Sequence, residues 1–340
     1  MSKRIMNLIL TKKHESWINS IQDENVKNLA RQNTIITGGA IASMLLKEEI
    51  KDFDFYFTNF ETCKAVAEYY VQQFIKEHDN LKIIPKVVID KDIDGKDRVR
   101  IRIQSAGIVG DNIDDKSYQY FEGDIQNGRV DESLLAAGEE YVDGTLESPE
   151  ETLRKADEIE ANDPEKFNAV GNLRGHQTEK GKFRPVFMSD NAISLSDKVQ
   201  LIIRFYGGIE EIHKNFDFVH ATNFWQSDTK ELTLRKEALE SLIMKRLYYM
   251  NSLYPICALI RMRKFIQRGF FVDAGQILKI CFQISKLNLE DINTLESQLT
   301  GVDQQYFRQL INYIQQEKSK NENWVLDLPY LISIVDKIFG

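Results

Sequence analysis

The segment Thr37-Gly38-Gly39-Ala40 is followed, twelve residues after the second glycine, by Lys51-Asp52-Phe53-Asp54-Phe55-Tyr56. This order predicts a glycine turn, a short helix over residues 40–48 and a strand over residues 53–57. Side chains alternate between the two faces of a strand, so Asp52 and Asp54 should point to the same face. The pattern therefore predicts two neighbouring carboxylates beside a glycine turn.

Two carboxylates on one face repel each other unless water or a cation balances their charge. Mg²⁺ prefers such oxygen ligands and keeps coordination positions open for substrate phosphates. Gly38 and Gly39 stand where a helix is predicted to begin, and free backbone amides at a helix start favour an anion. We therefore expect Asp52 and Asp54 to bind metal and Gly38 and Gly39 to bind phosphate, as in phosphoryl or nucleotidyl transfer.

The composition is that of a globular protein, with 42% hydrophobic and 28% charged residues among 340. The net charge of −8 argues against broad binding to nucleic acid or to acidic membranes. Three scattered cysteines favour reduced thiols, and no apolar run approaches the ~20 residues that a membrane helix needs. These features predict a cytoplasmic protein that does not associate with membranes.

Hydrophobic periodicity divides the chain into four regions. Residues 1–125 and 183–233 should form the two parts of an α+β core with a small mixed β-sheet, and 234–340 an all-helical C-terminal domain. Residues 126–182 are rich in acidic and polar residues and predict a mobile insertion. The main predicted elements are helices over 14–32, 59–78, 235–249, 255–268, 274–284 and 328–338, and strands over 33–37, 81–89, 98–104, 118–121, 184–188, 192–195, 199–205 and 216–224.

A site with two metal ions usually needs a third acid, as a ligand or as a base for the incoming hydroxyl. Asp217 fits best, because it lies between aromatic and β-branched residues in Asn215-Phe216-Asp217-Phe218-Val219-His220. A carboxylate within a buried strand requires a partner, and a shared metal would supply one. Asp90 and Asp114 are weaker candidates, because they lie at predicted strand ends or turns.

The motif Gly38-Gly39-Ala40, a helix and Asp52-Phe53-Asp54 resembles the nucleotidyltransferase superfamily of the polymerase-β type, in particular its CCA-adding and poly(A) polymerase branch. The resemblance implies two Mg²⁺ ions and transfer of a nucleotidyl group from an NTP, with Asp52, Asp54 and Asp217 as catalytic and metal-binding residues. Residues 191–225 also resemble uncharacterised nucleotidyltransferase-like proteins of large phages. Ile41-Ala42-Ser43 replaces the usual arginine and acid, which argues against RNA-tail chemistry.

Other interpretations remain open at the level of sequence. RNA, protein and a small molecule are all open as the acceptor, and the insertion or the helical domain offers a surface for a protein partner. The alternatives to an NTP-dependent enzyme are a non-catalytic interaction protein or phage virion protein that retains the fold, and a toxin-like transferase. Arg261, Lys264 and Arg268 share one helix face and suit either a triphosphate or neighbouring carboxylates.

Overall fold

The protein is described from a computed structural model. The structure describes residues 1–77, 84–91, 95–102, 108–109 and 182–289, and beyond these residues 291, 294–295, 298, 314, 316–320, 324 and 326–339. Within these ranges an eight-stranded mixed sheet carries helices on both faces, and most of the chain beyond residue 234 is helical. The α+β fold class predicted from the sequence is confirmed.

The helices fall into an N-terminal and a C-terminal set. The first set is α1 (Lys3–Ser20), α2 (Glu24–Gln32), α3 (Gly39–Leu46) and α4 (Phe60–Glu77). The second set is α5 (Ile209–His213), α6 (Lys236–Ile243), α7 (Pro255–Gln267), α8 (Ala274–Ile284) and α9 (Leu328–Phe339), with a 3₁₀ turn at Val219–Ala221 between α5 and α6.

The large sheet has the order β10-β9-β1-β2-β8-β7-β6-β5. Its strands are β1 (Thr34–Thr37), β2 (Phe53–Phe57), β5 (Ile108–Val109), β6 (Pro185–Met188), β7 (Ala192–Leu195), β8 (Val199–Tyr206), β9 (Phe224–Gln226) and β10 (Glu231–Thr233). The β2–β8 pair is parallel, and the other pairs in this sheet are antiparallel. A separate hairpin pairs β3 (Lys86–Lys91) with β4 (Asp97–Arg102).

The side chains of β2 alternate between the two faces of the sheet. Phe53, Phe55 and Phe57 are buried in the main core with residues of α1, α2 and α4. Trp17 of α1 fixes part of that core, because its indole N–H donates to the Tyr70 hydroxyl at 2.8 Å. The opposite face of β2 therefore receives the polar side chains.

The second face is covered by α5, the 3₁₀ turn and the C-terminal helices. Tyr56 of β2 packs there with Ile212 of α5. A separate apolar cluster joins Ala42 of α3 to Phe218 and to Met262 of α7. The C-terminal helices thus pack on the face of the sheet that carries the carboxylates.

Several elements depart from the sequence prediction. The strand predicted over 216–224 is wrong: this segment forms turns and the 3₁₀ helix, and only Phe224–Gln226 joins the sheet. The helix predicted over 235–249 ends at Ile243, because Lys245 takes a positive φ of 50° and the following backbone bonds to Phe271. Strand β10 was not predicted.

The predicted insertion over 126–182 and the predicted strand over 118–121 lie outside the described residues, save for residue 182. The three boundaries between the four predicted regions stay predictions.

Candidate functional site between the sheet and helix α7

The glycine turn is anchored at the end of β1. The Thr37 hydroxyl donates to the Asn223 carbonyl at 2.8 Å, and Nε2 of His213 lies 2.9 Å from the same hydroxyl oxygen. Gly38 follows with φ +94°, a conformation that favours glycine, and its amide donates to the Ala221 carbonyl at 3.2 Å. These contacts hold the turn in place and fix the direction in which the chain enters α3.

Helix α3 begins at Gly39 and receives no side-chain cap. A Cβ atom at Gly39 would meet no atom within 4 Å, so the space around this residue is open. A Cβ atom at Gly38 would instead lie 2.9 Å from Oδ2 of Asp54. The absence of a side chain at Gly38 thus allows the glycine turn and the Asp54 carboxylate to approach each other closely.

Asp52 immediately precedes β2 and Asp54 is its second residue, so the two lie two positions apart, as predicted. Burial raises the pKa of Asp54 to about 7, and the charge of Asp52 adds to this effect. Burial also raises the pKa of Asp52, which Lys198, Lys264 and Lys51 partly oppose. Among the described residues, neither carboxylate accepts a side-chain hydrogen bond or forms an ion pair. The pair is therefore an incompletely compensated negative centre.

Helix α7 lies along this face and presents its cations to it. Arg268, just after α7, forms an ion pair with Glu48, close to the end of α3. Lys264, one turn earlier, exerts its positive charge on both Asp52 and Asp54. Arg261 binds Asp217. The shared helix face predicted for the three basic residues is confirmed, and it faces carboxylates of the same chain.

Asp217 lies in a turn before the 3₁₀ helix, not in a strand. Nε and Nη2 of Arg261 donate to its two carboxylate oxygens, the second at 3.0 Å. Asp217 is only 8% exposed, so this bidentate pair balances a buried charge. The sequence predicted a metal ion as the partner of the Asp217 carboxylate. In the structure the partner is Arg261.

The described residues contain no group of three or more His, Cys, Asp or Glu side chains that could hold a metal ion. The structure thus brings together Gly38, Asp52 and Asp54 but does not gather Asp217 with the carboxylate pair. His213 and His220, which flank Asp217 in sequence, are buried, and burial lowers the pKa of each to about 3. Both are therefore neutral at physiological pH.

Two features were missed at the level of sequence. Lys264 was recognised as part of a basic face, but nothing in the sequence placed it opposite Asp52 and Asp54. A cavity near Arg98 and Arg204 was also missed, although the alternation of arginines with apolar residues along β4 placed Arg98 away from the core.

The sheet, the glycine turn and the carboxylate pair define an α+β protein with an acidic site between its sheet and a C-terminal helix. Residues 8–245 match the model of the Gabija anti-defense 2 (Gad2) family. The match covers more than half of the chain, so this protein belongs to the Gad2 family of phage anti-defense proteins. Searches of curated proteins and of solved structures found no match.

This finding corrects the family assignment made from the motif. The chain was identified with the nucleotidyltransferase superfamily, and that assignment is wrong, because the family model that matches is Gad2. A Gly-Gly turn and an Asp-x-Asp strand are short patterns that meet local backbone and charge requirements, and such patterns recur in unrelated families. The association with phages does agree with the family.

None of the helices in the described part of the chain is long and apolar enough to cross a membrane.

Proposed function

We propose that this Gad2-family protein opposes Gabija defence by binding an NTP and Mg²⁺ beside Gly38 and Asp54. A hydroxyl of a host defence component attacks the α-phosphorus, the bond to the β-phosphate breaks, and the nucleotidyl group is transferred with release of pyrophosphate and of the hydroxyl proton to solvent. The observation that carries the proposal is the close approach of the glycine turn to an incompletely compensated carboxylate pair. Phosphate and divalent metal are the two ligands that such an arrangement suits.

The carboxylates of this site fit one Mg²⁺ ion better than the two expected from the sequence. Asp52 and Asp54 have oxygens free of side-chain partners, and the raised pKa of Asp54 reflects the cost of leaving its charge unbalanced. The oxygens of Asp217 are already bound by Arg261. A second ion would therefore require the Asp217–Arg261 pair to open.

In this proposal each element of the site has a distinct task. The uncapped amides at the start of α3 bind the phosphates, and Gly38, which has no side chain, lets the turn lie close to Asp54. Asp52 and Asp54 hold the cation, which when bound supplies charge neutralisation of the phosphates. Lys264 adds positive charge at the same place and limits the repulsion between the two carboxylates.

The test combines binding with transfer. The folded wild-type protein should gain thermal stability from Mg²⁺ together with an NTP, and it should transfer label from α-labelled NTP to a component of Gabija-containing cell extract. The double variant Asp52→Asn/Asp54→Asn should lose both effects. Asp228→Asn, which removes an exposed carboxylate in the turn before β10, is the matched control. A folded wild-type protein that binds no NTP in the presence of Mg²⁺ would exclude the enzymatic proposal.

The second candidate is non-catalytic binding of a host defence protein. Two observations favour it: the Asp217 carboxylate is already paired with Arg261, and the C-terminal helices carry exposed apolar side chains. Leu278 and Phe282 lie one turn apart on α8 and are 51% and 65% exposed. If this candidate is correct, Leu278→Asp/Phe282→Asp should abolish protection of phage against Gabija, whereas Asp52→Asn/Asp54→Asn should preserve it.

A further inference from the structure

The turn between β7 and β8 brings a lysine to the edge of the carboxylate site. Val199, the first residue of β8, pairs with Phe53 of β2 in parallel register, and both side chains lie in the main core. The residues that precede them, Lys198 and Asp52, are therefore neighbours at the start of two adjacent strands. The Phe53 amide donates to the Lys198 carbonyl at 2.8 Å, which joins the two segments directly.

The Lys198 ammonium lies over the segment that leads into β2. Its Nζ donates to the Ile50 carbonyl and to a carboxylate oxygen of Glu49, each at 3.2 Å. Burial raises the pKa of Asp52, and the largest opposing effect is the positive charge of Lys198. The side chains of Lys198 and Asp52 nevertheless form no ion pair with each other. The ammonium is thus close enough to act on the carboxylate but is separated from it by a gap.

The contacts of Lys198 leave it able to bind a ligand anion. A lysine ammonium has three N–H donors, and Ile50 and Glu49 take two of them. The side chains of Lys198 and Glu49 are 51% and 80% exposed, and so exposed an ion pair contributes little stability. Lys245, by contrast, pairs with Glu48 where both side chains are 34% exposed. An anion can therefore take the third donor of Lys198, or replace Glu49, at small cost.

The backbone of the β7–β8 turn is held in place on both sides. Asp197 and Lys198 have positive φ angles of 65° and 56°, a combination for which hairpin turns prefer Asn-Gly. Nζ of Lys13, in α1, donates to the Asp197 carbonyl at 2.7 Å. The turn is therefore tied to α1 through Asp197 and to β2 through Lys198, which fixes the point from which the Lys198 side chain extends.

The glycine turn and Lys198 stand on opposite sides of the carboxylate pair. Gly38 follows β1, the carboxylates belong to the start of β2, and Lys198 precedes β8, and these three strands are adjacent in the order β1-β2-β8. Neighbouring strands lie ~4.8 Å apart, so the two ends of the site are separated by ~10 Å. A chain of phosphates suits this distance better than a single phosphate does.

We propose that Lys198 binds the terminal phosphate of the NTP and makes the site select triphosphates over monophosphates. This inference rests on the proposed function, in which the start of α3 binds phosphate and Asp52 and Asp54 hold the cation. The phosphate chain then runs from the glycine turn, across the carboxylate pair, to the Lys198 ammonium. The same contact stabilises the negative charge that develops on the departing pyrophosphate.

Calorimetric titration of the full-length protein with ATP and with AMP, both in Mg²⁺, tests this selection. Lys198→Asn removes the charge with a residue that tolerates positive φ. It should weaken ATP binding roughly tenfold to a hundredfold, as expected for loss of a charged hydrogen bond, and leave AMP binding unchanged. Lys198→Arg keeps the charge and should bind ATP as the wild type does. Lys230→Asn is the matched control, because Lys230 is an exposed lysine with φ 54° in the β9–β10 turn, and it should change neither affinity.

The melting temperature of Lys198→Asn without ligand should stay near that of the wild type, because the side chain is exposed. Lys198→Gly, which also suits positive φ, takes its place in the titrations if Lys198→Asn does not fold. A folded wild-type protein that binds no ATP in Mg²⁺ overturns this inference together with the proposed function. Wild-type binding of ATP that the uncharged variant retains in full overturns this inference alone. Equal weakening of ATP and AMP binding would refute the selection of the triphosphate.

Discussion

Replacing Asp54 with asparagine should make the protein more stable at pH 8 and remove a pH dependence that the wild type shows. The Asp54 carboxyl is buried beside Asp52, and its pKa rises from an ordinary 3.8 to about 7. Ionising this group is therefore harder in the folded chain than in the unfolded chain. Asparagine keeps the shape of the side chain but never acquires the charge.

The direction and size of the effect follow from proton linkage. Between pH 4 and pH 7 the folded chain binds more protons at Asp54 than the unfolded chain, so the free energy of unfolding falls as pH rises. Each pKa unit corresponds to ~1.36 kcal/mol, and the pKa of Asp54 rises by about three units. The free energy of unfolding of the wild type should therefore be lower above pH 7 than near pH 4 by about 4 kcal/mol. The free energies of unfolding of Asp54→Asn and wild type should be similar near pH 4 and differ by up to that amount at pH 8.

Guanidinium chloride unfolding at several pH values between 4 and 8 measures this difference directly. Asp228→Asn serves as the control for loss of an exposed carboxylate. Parallel pH profiles for wild type and Asp54→Asn would refute the reasoning, since they would show that Asp54 ionises alike in the folded and unfolded chains. Adding Mg²⁺ extends the test: it should stabilise the wild type more at pH 8 than at pH 5 and have little effect on Asp54→Asn.

Three further substitutions test the framework around the site by chemical unfolding. Gly38→Ala should cost about 1–3 kcal/mol, because alanine is strained at φ +94° and its Cβ meets a carboxylate oxygen; an unchanged free energy would mean that the turn relaxes freely. Arg261→Ala should cost about 3 kcal/mol by leaving Asp217 buried and unpaired, whereas Arg263→Ala, at an exposed position of the same helix, should change stability by less than ~0.5 kcal/mol. Tyr70→Phe should cost about 1–3 kcal/mol because a buried indole N–H loses its acceptor, and a neutral result would indicate that water replaces the hydroxyl.

Local patterns predicted the elements around the carboxylate pair well. The bounds of β2 at Phe53–Phe57 match the prediction, because alternating aromatic residues leave one register that buries a complete apolar face. The glycine turn and α3 also appear where the sequence placed them, since Gly38 needs a positive φ and the residues that follow favour a helix. These features depend on neighbours in the sequence.

The features that the sequence missed depend on contacts between distant residues. The segment around Asp217 has the composition of a strand, but its backbone bonds to the loop before α7, where the Met250 amide donates to the Asp217 carbonyl. The ion pair with Arg261 joins residues 44 positions apart and has no local signature. A short motif likewise could not identify the family, because the match to the Gad2 family model depends on residues 8–245 together.

The parallel pairing of β2 with β8 affects how the protein can fold while it is being translated. Asp54 is paired with Gln200, which is synthesised ~146 residues later, and translation at about 5–20 residues per second makes that interval about 7–30 seconds. During this time β2 has an open edge and its buried aromatic residues lack part of their cover. The carboxylate site therefore cannot assemble until most of the chain has been made, and nascent chains that end before residue 199 should be prone to aggregation or dependent on chaperones.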